Sequence, residues 1–178
     1  YESIFVLDPG VVDIVVEDDA EAVRKAKQYL SYFQGSVPDW DCADQHLLRR
    51  LMPENRRHIY DVRKIIDTMA DRESVLELRR EFGVGIITAL VRIEGKPFGL
   101  MANNVRHLGG AIDADVADKA SRFVQLCDAF DMPLIVLIDT PGFMVGPEAE
   151  KTAQVRHFCR IFVNAANVTI PIFSVVLR

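Results

Sequence analysis

Apolar residues recur along this chain in two rhythms, and the sharpest change between them falls near residue 140. Leu134-Ile-Val-Leu-Ile-Asp139 is an unbroken aliphatic run closed by an acid. It predicts a strand covered on both faces, as in a parallel sheet. Thr140-Pro141-Gly142 ends the ladder, because Pro has no N–H to donate and Gly accepts positive φ. A helical rhythm resumes from about Pro147 through Ala153, Phe158, Ile161, Phe162 and Ala165, and 172–177 is another apolar strand. Upstream, 85–94 is rich in β-branched residues, Gly95-Lys96 marks a turn, and 97–102 pairs back as a hairpin partner. A loop over 103–110 follows. Asp113 or Asp115 then caps a helix with Val116, Ala120, Phe123, Val124, Cys127 and Phe130 on its inner face. Strand, helix, strand, helix, strand predicts βαβ crossovers in a parallel-rich sheet. Strands 134–139 and 172–177 should be near neighbours, with helices 115–130 and 148–166 on the sheet faces.

The first half is read less directly. Asp18-Asp19 caps a helix whose inner face is Ala22, Val23, Ala26, Leu30 and Phe33. Residues 34–55 carry Gly35, Pro38, Pro53 and the lone Trp40, and predict a turn-rich linker. It separates two units, 1–50 and 51–178. Val62, Ile65, Ile66 and Met69 repeat at helical spacing, and Val75, Leu78 and Phe82 predict a second short helix ended by Gly83. Residues 1–7 are strand-like. A start without Met and an end on an apolar strand lead us to expect a fragment of a longer protein.

Composition narrows the chemistry. A chain of 178 residues, 49% apolar and 26% charged, can build a sizeable core and is not disordered. A net charge of −5 and a pI near 5.4 argue against a nucleic-acid partner. The one basic cluster, Arg49-Arg50 with Arg56-Arg57-His58, reads as a solvated face or a partner contact. No apolar run reaches the ~20 residues of a membrane helix, and no signal peptide is visible. Cys42, Cys127 and Cys159 lack C-x-x-C spacing, which suits reduced thiols in the cytoplasm.

Reactive side chains are scarce. Asp139-Thr-Pro-Gly142 matches D-x-x-G, but no glycine-rich loop ending in Gly-Lys-Ser/Thr accompanies it. Asp139 is either a catalytic acid or, more in keeping with a strand end, the cap of its own turn. His107 and His157 are each a base or a structural residue, and no G-x-S-x-G elbow supplies a nucleophile. His46 and His58 have no partners at zinc spacing. Gly109-Gly110 either presents two backbone N–H groups to a ligand or is a plain turn. What remains is a site built from backbone.

The residues also carry a family pattern. Gly99-Leu-Met-Ala-Asn103, the block from Ala117-Asp-Lys-Ala-Ser-Arg-Phe to Asp139-Thr-Pro-Gly-Phe143, Ala149-Glu150 and Arg156-His157 strongly resemble the carboxyltransferase (β) subunit of biotin-dependent acyl-CoA carboxylases. Pro9-Gly-Val-Val-Asp13 is similar to the family's G-V-A-D. The resemblance runs from about Gly10 to Arg178. It implies a crotonase-like α/β fold, two related domains per subunit, and an active site shared between two subunits of a homo-oligomer. It implies carboxyl transfer from carboxybiotin to the α-carbon of an acyl-CoA, with biotin delivered by a biotin carboxylase/biotin carrier partner. Thr140, Pro141, Gly142 and Phe143 would line the biotin pocket, with Gly146 shaping the loop. Amide N–H pairs would stabilise the developing enolate, in keeping with the missing nucleophile. Two alternatives stand beside it, a biotin-dependent decarboxylase and a non-catalytic assembly subunit. The pattern departs from the family where Phe158 and Cys159 replace small residues, and the family's two glycine-rich oxyanion turns would lie before Tyr1 and after Arg178.

Overall fold

Every residue from Ile86 to Arg92 is buried, so strand β2 (Ile86–Ile93) needs cover on both faces. The computed structural model describes residues 10–55 and 58–178 and shows where that cover comes from. The strand expected over 1–7 and the pair Arg56-Arg57 lie outside the described residues. Among the described residues five strands form one sheet in the order β1 (Leu76–Leu78), β2, β3 (Lys96–Asn103), β4 (Leu134–Ile138) and β5 (Ile172–Val176). β1 with β2 and β2 with β3 pair antiparallel, whereas β3 with β4 and β4 with β5 pair parallel. The sheet is therefore mixed. Its parallel half is the part predicted from the strand–helix alternation, with β4 and β5 side by side.

Helices cover the two faces. α4 (Ala114–Ala129) is capped by Asp113, whose carboxylate accepts from the Val116 N–H. It buries Val116, Ala120, Phe123, Val124 and Cys127 against Leu90, Met101 and Leu134. On the other face α3 (Val62–Met69), capped by Asp61, packs Val62, Ile65 and Ile66 against Ile87, Ala89, Val91 and Leu100. Alternate residues of β2 thus belong to different cores, as the pleat requires.

Several local readings are corrected. Residues 75–82 are not helical. Leu76 and Leu78 point into the core from strand β1, because their period-two spacing lets them pair with Leu90 and Thr88 of β2. Helix α1 (Asp19–Ser31) is capped by Asp18 as expected, but Val23, Ala26 and Leu30 are exposed. Its buried side is led by Tyr29 and continues into Tyr32 and Phe33 of the short 3-10 turn that follows. The linker over 34–55 contains a 3-10 turn at Gln45–Leu47 and a single helical turn, α2 (Leu48–Leu51). The helix expected over 148–166 is two helices, α5 (Pro147–Lys151) and α6 (Gln154–Asn167), separated where Ala153 adopts the left-handed φ of 53°. Strand β5 is also exposed along its length, with Val176 at 70%, although its residues are apolar.

One close contact and one buried charge mark the approach of α4. At Gly99 of β3, an added Cβ would overlap the Cys127 sulfur. Glycine is thus the residue that lets strand and helix pack at this separation. Lys119 of α4 is 1% exposed, and its Nζ has no hydrogen-bond partner among the described residues. Burial pulls its pKa from 10.5 down to about 8.

Gly99→Ala should destabilise the protein by about 1–3 kcal/mol through overpacking. Adding Cys127→Ala should recover part of that loss, a coupling readable in denaturant midpoints. Equal losses with and without Cys127 would disprove the contact's role. Lys119→Met should stabilise the protein most below pH 8. There the native state holds a buried ammonium, and the fall from 10.5 to about 8 corresponds to roughly 3 kcal/mol. Between pH 8 and 10.5 the unfolded chain binds more protons than the native one, so wild-type stability should rise with pH and approach the variant's. Thermal midpoints of both proteins across that range, at low salt, measure it.

Candidate functional site

The carboxyl end of β4 is organised around Asp139, which is buried. Its backbone N–H donates to the Asn103 side-chain oxygen (3.1 Å), tying β4 to the end of β3. Its carboxylate accepts from the Tyr60 hydroxyl (2.7 Å) and from Arg178 Nε (2.7 Å). Arg178 also lies over the Tyr60 ring and donates to the His58 carbonyl. Burial, then the neighbouring carboxylate, raises the Tyr60 pKa above its ordinary value, so the phenol stays a donor. Asp139 thus joins segments from residues 58–60, 103 and 178. Its side chain does not cap the following turn, which corrects the capping reading.

The cap belongs to Thr140. Its hydroxyl accepts from the Gly142 N–H (3.0 Å), an ST-turn of the kind threonine favours. The Gly142 carbonyl in turn accepts from the Ile112 N–H (3.0 Å), and Met144 N–H donates to the Ile112 carbonyl (2.9 Å). Gln154, itself buried, donates its side-chain amide to that same Ile112 carbonyl (2.9 Å). Both backbone groups of Gly142 are therefore satisfied within the protein. Gly142 and Gly146 have φ of 121° and 123°, and an added Cβ at either would meet nothing within 4 Å. Open space lies beside both.

Phe143 is not free to swing. It stacks on Phe158 (centroids 4.1 Å apart) and meets Phe162 edge-on. This accounts for the large residue at Phe158, where the resemblance leads one to expect a small one. Val145 at the tip of the loop is 82% exposed. Pro141 is exposed and Thr140 half-buried.

Gly110 closes the site from below. Its φ is 87°, and a Cβ there would overlap the Asp139 carbonyl. Its N–H donates to the His107 carbonyl (2.8 Å), so Gly109-Gly110 does not offer two free amides to a ligand. The histidines are held by carboxylates, His107 Nε2 by Asp113 (3.0 Å) and His157 Nδ1 by Asp118 (2.9 Å). Asp118 also accepts from Arg160. The structure thus gathers Thr140, Pro141, Gly142, Phe143 and Gly146 into one turn and adds Tyr60, Asn103, Ile112, Gln154 and Arg178 as its supports. Of the supports only Asn103 stands in a block that the family resemblance marks. Gln154, a buried amide on an amphipathic helix, carries the nearest thing to a local signal. Among the described residues no three His, Cys, Asp or Glu side chains are placed to hold a metal ion.

Comparison with known proteins identifies the architecture. The carboxyl transferase domain family matches residues 4–178. The chain is 33% identical over 178 residues to the propionyl-CoA carboxylase beta chain of Roseobacter denitrificans, covering 95% of this chain and 35% of that protein. It is 33% identical over 177 residues to the methylmalonyl-CoA carboxyltransferase 12S subunit of Propionibacterium freudenreichii subsp. shermanii, covering 95% and 34%. A solved single-chain, multi-domain long-chain acyl-CoA carboxylase superposes with a TM-score of 0.96 at 53% identity, over 98% of this chain and 18% of that one. The transcarboxylase 12S structure with methylmalonyl-CoA bound gives 0.88 at 31%, over 97% and 35%. The chain thus spans about a third of the length of these curated relatives. The fold is the crotonase-like one. A family match over nearly the whole chain, on a scaffold that superposes this closely, makes the conclusion direct: this chain belongs to the carboxyl transferase domain family.

Proposed function

We propose that the protein carrying this chain transfers a carboxyl group from carboxybiotin to the α-carbon of an acyl-CoA, and that the 140–146 turn contacts the biotin. The observation that supports it most is the open space beside Gly142 and Gly146, on a turn whose own hydrogen bonds are already made. A ligand ring can approach backbone closely where no Cβ projects. Biotin, when bound, supplies the carboxyl group. The chain's part is to hold a rigid wall. Thr140 and Ile112 fix the Gly142 peptide, Asp139 anchors the strand end, and the stack of Phe143 on Phe158 keeps the loop from collapsing into the space. The turn's one hydroxyl, Thr140, is engaged with Gly142, which suits a reaction assisted by preorganised donors.

The relatives named carboxylase beta chains support a partner that carries biotin. The exposed apolar residues of β5, and Val155, Phe162 and Val163 of α6, support a homo-oligomer that covers them. The three cysteines are free thiols, which fits a cytoplasmic setting. No helix among the described residues is long and apolar enough to cross a membrane.

Gly142→Val in the whole protein tests the turn. The new side chain meets no protein atom within 4 Å of its Cβ, but a β-branched residue is disfavoured at a φ of 121° and would fill the approach. Carboxyl transfer per folded molecule should fall by orders of magnitude. Unchanged specific activity in a folded variant would remove the turn from the active site. The assembly is tested by light scattering, which should give at least a dimer at micromolar concentration. A stable monomer would count against it.

A further inference from the structure

We infer that the cavity lined by Lys119, Arg79, Arg122 and Thr88 on the α4 side of the sheet is a binding site for one small oxyanion of the carboxylate class. The cavity measures about 150 Å³ and is also lined by Asp13 and Tyr29. A water needs only ~10–15 Å³ on this measure, so there is room for a small ion and waters. Lys119 lies at this wall with 1% exposure and an Nζ that none of the described residues contacts by a hydrogen bond. A buried ammonium without a partner is costly, and an anion beside it removes most of that cost.

The charges around the amine favour an anion over any other occupant. Three cations, Lys119, Arg79 and Arg122, face the space against one carboxylate. That carboxylate, Asp13, is already bonded to Arg79 Nε at 2.8 Å. Tyr29 remains a protonated donor, its pKa raised by burial and by Asp13. Glu77, which also acts on Lys119, is engaged by Arg63 at 2.6 Å and by Arg80. Glu81 acts on the amine as well. The Thr88 hydroxyl donates to the Leu78 carbonyl and so offers the anion no donor, which leaves recognition to the cations and Tyr29. A monoanion would complete Lys119 and draw on the Arg122 guanidinium. Arg79 and Arg122 also line a wider groove of about 800 Å³ with Arg156, Arg160 and Asp118, so positive charge outweighs negative beside the cavity too.

The site is tested on the whole protein with sodium acetate and sodium phosphate as probes, against sodium chloride at matched ionic strength. Acetate should bind saturably, one per chain by calorimetry, and raise the thermal midpoint. Lys119→Met should abolish both effects, and Arg122→Gln should weaken acetate binding about tenfold, as loss of one charge-assisted hydrogen bond predicts. Wild-type protein with no saturable response, as when a carboxylate of the protein or a second subunit already fills the space, would overturn the site. An undiminished response in Lys119→Met would overturn it too. Tighter binding of phosphate than acetate would overturn the carboxylate assignment. Should Lys119→Met fail to fold, Arg122→Gln decides alone, and unchanged acetate affinity would sink the idea. None of these readings uses carboxyl transfer, so their failure leaves the reading of the 140–146 turn standing.

Discussion

Parallel pairing is the constraint from which most of this architecture follows. β3, β4 and β5 run in one direction, and parallel neighbours cannot be joined by a tight turn. The chain must leave the end of each strand and return along a face. α4 makes the first return and α5 with α6 the second. The carboxyl ends of β3 and β4 therefore lie side by side, where Asn103 meets Asp139. Ligands of open α/β sheets gather at such edges, and the 140–146 turn occupies one.

That edge is held by satisfied groups. Asp139 receives Tyr60 and Arg178, Gly142 is bonded on both sides, and Ile112 links the turn to the preceding loop and to Gln154. A turn so restrained is preorganised, and preorganisation lowers the entropy cost of any binding. Stiffness here comes from polar pairs, whereas the body of the sheet is stiff because it is packed.

The parallel half was legible because aliphatic runs and helical periods leave strong marks over ten or more residues. α3 and α4 were readable from spacing and from Asp113 as cap. The stretch 75–82 was not, since Val75, Leu78 and Phe82 mimic a helical period while Leu76 and Leu78 satisfy a strand one. Only the pairing with β2, distant in sequence, decides between them. The face of α1 was misread because its buried side is carried by tyrosines, which a count of aliphatic residues passes over. The break at Ala153 has no Pro or Gly to announce it. The turn itself was visible as Thr-Pro-Gly. Its supports were not, because Tyr60, Asn103 and Arg178 reach Asp139 across 79, 36 and 39 residues of chain.

The close approach of β3 to α4 has a chemical consequence for the thiol trapped between them. Cys127 faces a glycine because not even a methyl group fits beside its sulfur, and burial pushes its pKa up to about 12. Its thiolate is scarcely populated at neutral pH, and the thiolate is the form that oxidants attack. An added oxygen on that sulfur would also have nowhere to go. Cys159, exposed on α6, lacks that enclosure. Enclosure thereby shields from oxidants the joint on which the sheet and its crossover helix depend.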